Sequence, residues 1–216
     1  MAQRIITRAT VIDTLPYGES DIIVTLLGEE TGRTRAIAKG ARRSSRRFAG
    51  GLEITDTGTF ELKPPGRPEQ LWVVESLTGR LAWLSLRTNL RKFEVASFCL
   101  ELANRFALEG DPLARQLFNP LIDILNRLEA APNRRVCNVL GVYYCLNLLV
   151  VEGLNPLLSD IEWHEEIFGW WERMIVEQSP LDGDSAEQVR EALRILVRYN
   201  EDSIGAQLKT SASILG

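Results

Sequence analysis

The chain has 216 residues, 45% apolar and 25% charged, with a formal net charge of −4. That length suits one large domain or two small ones, and that apolar share is enough for a packed core, which excludes wholesale disorder. No run approaches about 18 consecutive apolar residues, and the start, MAQRIITRATVIDTL, lacks a basic patch followed by an apolar stretch, so neither a membrane span nor a signal peptide is expected and the chain reads as cytoplasmic.

The first 80 residues read as β. Short runs rich in Val, Ile and Thr fall at about Ile5–Leu15, Asp21–Leu27, Thr34–Lys39, Glu53–Leu62 and Leu71–Ser76. Pro16-Tyr17-Gly18 and Glu30-Thr31-Gly32 have the composition of tight turns, and Pro64-Pro65-Gly66-Arg67-Pro68 cannot continue a strand. Five short strands without an intervening helix match the strand count of a small OB-type barrel. An SH3-like barrel or an open sheet fits the same string.

Near residues 78–84 the period changes from two to helical. Phe93, Ala96, Cys99, Leu102 or Ala103, and Phe106 lie three or four apart. Asp111-Pro112 reads as an N-cap followed by Pro at the first helical position. Leu113, Leu117, Leu121, Leu125 and Leu128 then repeat at helical spacing, with Pro120 expected to kink or divide the run. Val136 to Val151 is apolar nearly all round, the signature of a central helix, and Gly153 with Pro156 supplies a stop. Trp163, Ile167, Trp170, Trp171 and Met174 predict a further amphipathic helix. Ser185 with Gln188 has capping-box spacing, and a short last helix is expected over Ser203–Leu215. The fold class is therefore α+β: residues 1–80 as an N-terminal OB-type five-stranded barrel, residues 81–216 as an all-helical domain for packing and protein contacts.

Charge divides along the same line. Residues 1–80 carry 12 Lys+Arg against 10 Asp+Glu, and residues 81–216 carry 13 against 19. Seven cations, Arg33, Arg35, Lys39, Arg42, Arg43, Arg46 and Arg47, fall in one stretch, and no Asp or Glu occurs from Thr31 to Leu52. A charged loop is often merely solvated, but seven like charges repel one another and an acidic partner relieves that repulsion. Arginine forks fit phosphate oxygens, and local charge outweighs the whole-chain average because screening is strong beyond about 10 Å. The seven are therefore nucleic-acid-contact candidates. Tyr17 and Phe48 are candidates for base stacking, each worth about 1–3 kcal/mol where a base stacks, although packing against the barrel is the commoner role for such rings.

The segment Leu15-Pro16-Tyr17-Gly18-Glu19-Ser20-Asp21-Ile22-Ile23-Val24-Thr25-Leu26-Leu27 resembles the N-terminal pattern of the RecO family. So do Glu30 to Arg42, the stretch Arg47-Phe48-Ala49-Gly50-Gly51-Leu52-Glu53, and the strand ending Val74-Glu75-Ser76. The helical part is similar by pattern and by Leu208-Lys209-Thr210. The resemblance implies a DNA repair and recombination mediator that binds single- and double-stranded DNA and anneals complementary strands. It implies partnership with RecR and with the C-terminal tail of single-stranded DNA-binding protein, help in loading RecA, and a nucleoid-associated place in the cytoplasm. A groove for an acidic, apolar-ended peptide needs one or two cations, for which Arg87, Arg91, Lys92 and Arg105 are candidates. Many family members hold zinc on four cysteines, but after Gly153-Leu154-Asn155-Pro156 this chain has Leu157-Leu158-Ser159-Asp160, so no zinc and no other cofactor is expected.

No enzyme is expected either. The three cysteines, Cys99, Cys137 and Cys145, are few and unpaired in spacing. His164 is the sole histidine and lacks the second His of a zinc-protease motif; no P-loop or nucleophile elbow occurs. Two rival readings stand beside DNA: an RNA-binding OB module, and a protein adaptor whose basic loop meets an acidic protein surface.

Overall fold

The computed structural model describes residues 3–44, 47–48, 50–67, 69–151 and 185–216. Arg46, the stop signal at 153–156, the stretch 157–160 and the helix expected around Trp163 to Met174, with His164, lie outside the described residues.

Five strands come first: β1 (Ile5–Tyr17), β2 (Asp21–Gly28), β3 (Gly32–Ala38), β4 (Thr57–Lys63) and β5 (Trp72–Thr78). They close into a barrel in the order β1-β2-β3-β5-β4. Short turns join β1, β2 and β3 as antiparallel neighbours; β4 runs antiparallel to β1 and to β5. A parallel pairing of β3 with β5, Ala36 with Trp72 and Ile37 with Val73, completes the circle. This is the OB-type barrel expected from the strand count. Its core follows the two-residue alternation of strands: Ala9, Val11, Ile22, Val24, Leu26, Ala36, Ala38, Phe60, Leu62 and Val74 point inward and are buried. β4 begins at Thr57 rather than Glu53, because Thr55 takes a positive φ of 73° and breaks extension just before it.

The helices are α1 (Leu84–Thr88), α2 (Leu90–Phe106), a 3-10 helix (Pro112–Leu117), α3 (Phe118–Ala130), α4 (Arg134–Val151), α5 (Ala186–Ile204) and α6 (Ser211–Leu215). Asp111 caps the 3-10 helix by accepting the Leu113 N–H, and Pro120 sits in the first turn of α3, where a missing N–H leaves no bond unmade. The run from 112 to 130 is thus divided as its proline requires. The single helix expected over Ser203–Leu215 is corrected: Gly205, at φ 68°, ends α5 in a left-handed cap, and α6 starts afresh at Ser211.

The described chain falls into two compact units. One comprises residues 1–83 with 103–119, the other residues 84–102 with 120–216. Within the first, the 3-10 helix packs on β2 and β3. A Cβ added at Gly32, itself at φ 61°, would come within 3.2 Å of Ala114 Cβ, and the Arg8 guanidinium lies over the Phe118 ring, 5.7 Å from its centre. Within the second, α4 packs against α5. Against the sequence reading, α4 has the length and composition of a membrane span, but 61% of it is buried inside the protein, as in the core helix of a bundle.

Candidate functional site

The cations converge on β3 and on the connector that follows it, residues 39–56. On β3, Thr34, Ala36 and Ala38 are buried, so the alternation turns Arg33, Arg35 and Ile37 to the opposite face. Beyond Ala38 the connector is folded onto the barrel. The Gly40 N–H donates to Asp21 Oδ1 at 2.8 Å, and the Arg42 N–H donates to the Ser20 carbonyl at 3.0 Å, which binds its first turn to the tip of the β1–β2 hairpin. Ala41, Phe48 and Leu52 are buried in the barrel core. Ser44 Oγ accepts the N–H groups of Arg47 and Phe48, at 3.1 and 3.3 Å. The far end is clamped by Arg80, whose Nη2 donates to the Gly51 carbonyl at 2.6 Å and to the carboxylate of Asp56. Three apolar side chains thus point inward and hold the segment, while Lys39, Arg42, Arg43 and Arg47 are exposed.

The six described cations are not equivalent. Arg33 is tied within its own unit: Nε donates to Asn104 Oδ1 at 3.0 Å and Nη1 lies 3.8 Å from Glu109. Arg35 is half-buried on β3. Among the described residues none forms an ion pair with Arg35, Lys39 or Arg42. Arg43 faces Glu19 at 3.5 Å in a fully solvated pair, which contributes little and yields readily to another anion. Arg47 Nη2 donates to the Lys39 carbonyl at 2.8 Å. The structure therefore brings Lys39, Arg42, Arg43 and Arg47 together on one connector and sets Arg33 apart as a packing residue.

Three expectations are corrected. Phe48 is only 2% exposed and fills the barrel, so it offers no face to a base; Tyr17, 55% exposed beside the hairpin tip, does. Arg91 and Lys92 are not available to a partner peptide. Arg91 is buried, donating to Asn138 Oδ1 (2.7 Å), Glu94 Oε2 (3.0 Å) and the carbonyls of Ser213 (3.0 Å) and Ile214 (2.7 Å). Lys92 is buried with Nζ on Ser85 Oγ and the Glu129 carbonyl, at 2.6 and 2.7 Å. Arg87 and Arg105 are exposed. Sequence reasoning missed the residues that shape the connector, Asp21, Asp56 and Arg80. Only the spacing of Ser44 to Arg47, three residues like a helix cap, signalled any of this order. Among the described residues no three His, Cys, Asp or Glu gather in a group able to hold a metal ion.

Residues 1–77 match the family described as Recombination protein O N terminal. The chain is 34% identical over 131 residues to the DNA repair protein RecO of Anaeromyxobacter dehalogenans (strain 2CP-C), a match covering 61% of this chain and 51% of that protein. It is 36% identical over 158 residues to the DNA repair protein RecO of Pelobacter propionicus, covering 70% and 59%. For the protein of the same name from Syntrophobacter fumaroxidans the identity is 37% over 122 residues, covering 56% and 47%. The matched stretches thus span between 47% and 59% of these relatives' own lengths.

Proposed function

We propose, from the match of residues 1–77 to the family described as Recombination protein O N terminal, that the protein is a DNA repair and recombination mediator which binds single- and double-stranded DNA and promotes the annealing of complementary strands. The observation that carries the reading is the connector: four exposed cations, Lys39, Arg42, Arg43 and Arg47, displayed on a segment anchored through Ala41, Phe48 and Leu52. Two nucleic-acid strands repel each other through their phosphates. A surface that neutralises phosphates on both lowers that repulsion and favours pairing, with no bond made and no nucleotide consumed. The protein acts in this reading as a non-enzymatic partner of RecR and of the C-terminal tail of single-stranded DNA-binding protein, assisting RecA to load on coated DNA.

Annealing of complementary strands coated with single-stranded DNA-binding protein, with and without its C-terminal tail, tests the reading. Annealing that depends on the tail is the expected result; none under either condition overturns it. The affinity itself has an expected signature. With about five phosphates engaged, the log–log slope against salt is about −3.5 to −4.5, from about −0.7 per contact on single strands and −0.9 on duplex. Neutralising Arg42, Arg43, Arg46 and Arg47 together lowers affinity for all sequences alike, whereas a loss confined to one sequence would indicate base readout through these residues. Single substitution of Arg33 by Ala changes affinity less than about twofold, since its guanidinium is already held by Asn104 and Glu109.

A further inference from the structure

Arg47 differs from the other described connector cations in being held from two sides. Its Nη2 is fixed on the Lys39 carbonyl at 2.8 Å, and its guanidinium carbon lies over the Phe48 ring, 5.5 Å from the centre. The ring beneath cannot drift, because Phe48 is 2% exposed within the barrel core and its N–H is bound to Ser44 Oγ. Arg47 itself is exposed. A guanidinium backed by an aromatic ring on one side and open to water on the other is a prepared surface for a second flat group. Little side-chain freedom remains to be lost when that group arrives. Among the described residues no ring backs Lys39 or Arg42, and Arg43 stands in solvent opposite Glu19; these suit phosphates.

We propose that Arg47 is the base-contacting residue of the connector: an unpaired nucleobase stacks on the outward face of its guanidinium, making a base–guanidinium–phenyl sandwich, while the neighbouring cations hold the backbone. The inference rests on the DNA-binding reading above and deepens it, since a base paired within a duplex has no free face to offer and Arg47 then favours single strands. Phe48 serves the base indirectly, as the support behind the cation.

The substitution Arg47→Lys in the full chain keeps the charge and removes the plane. The probes are a thymidine oligomer of about 20 nucleotides and an abasic oligomer of the same length. The unsubstituted protein is expected to bind the thymidine oligomer about tenfold more tightly than the abasic one. In Arg47→Lys that ratio falls to about one, with the salt slope and the duplex affinity unchanged. Phe48→Leu, which keeps the core plug apolar but takes away the ring, lowers the ratio about threefold; thermal melts of both variants check that the barrel is intact. The proposal is overturned if Arg47→Lys retains the tenfold ratio, if both oligomers lose affinity equally, or if Tyr17→Ala abolishes the ratio in its place. Absence of salt-sensitive binding to either oligomer by the unsubstituted protein would instead remove the DNA reading itself.

Discussion

Asp56 has a side chain wholly withdrawn from water, and it accepts the Glu53 N–H at 2.8 Å as well as the Arg80 guanidinium. A carboxylate so placed is tolerable only while its partners stay. Arg80→Ala is expected to cost about 2–3 kcal/mol of stability, somewhat below the range for breaking a fully buried pair because Arg80 is 30% exposed. Urea denaturation of the variant reads that loss; a change under about 0.5 kcal/mol would show that the pair does not secure the connector. None of this was legible along the chain, since Asp56 and Arg80 stand 24 residues apart. The same reason hid the fate of Arg91 and Lys92. On a helix, neighbouring cations read as surface, but apart from Glu94 the groups that satisfy Arg91 come from Asn138, Ser213 and Ile214, far outside any local window. Phe48 was obscured differently: Gly, Ser and Arg around it have loop composition, and composition does not disclose that one side chain of a loop turns inward.

At the level of elements the sequence speaks more clearly, because turns and caps are local chemistry. Ser185 and Gln188 form the reciprocal capping box that their spacing predicts, Ser185 Oγ accepting the Gln188 N–H and the Gln188 side chain accepting the Ser185 N–H. Ser185→Ala is expected to cost about 1 kcal/mol, read as a lowered urea midpoint with an unchanged slope. Strands β1, β2, β3 and β5 begin and end within a few residues of their expected limits, since glycine- and proline-rich turns punctuate them. The two displaced boundaries have physical causes. Thr55 at positive φ delays β4, an excursion that a β-branched residue rarely makes and that its type does not announce. Gly205 did carry its signal, a left-handed stop after the last apolar position of α5, and it divides the C-terminal helix.

Across the described residues, four buried ionisable groups respond together to pH, among them Cys137, whose thiol is pushed up by burial. Cys99, Cys145 and Tyr144 are buried, and loss of hydration pushes each pKa up from ordinary values of 9.0, 9.0 and 10.0. Between the unfolded and the folded pKa the unfolded chain has released protons that the folded chain keeps, so stability falls as pH rises. The expected outcome is full stability below about pH 8.5 and a progressive loss above about pH 9, smaller in Cys99→Ala, with urea midpoints across that range as the check. A larger consequence follows from the way residues 103–119 belong with 1–83. A barrel severed after Trp83 would forfeit Ala114 against Gly32, the ring under Arg8, and both Asn104 and Glu109 beside Arg33. The flank of β2 and β3 on which the 3-10 helix packs would then lie open and invite copies of the fragment to clump, and grafting 103–119 back through a flexible tether should reverse it.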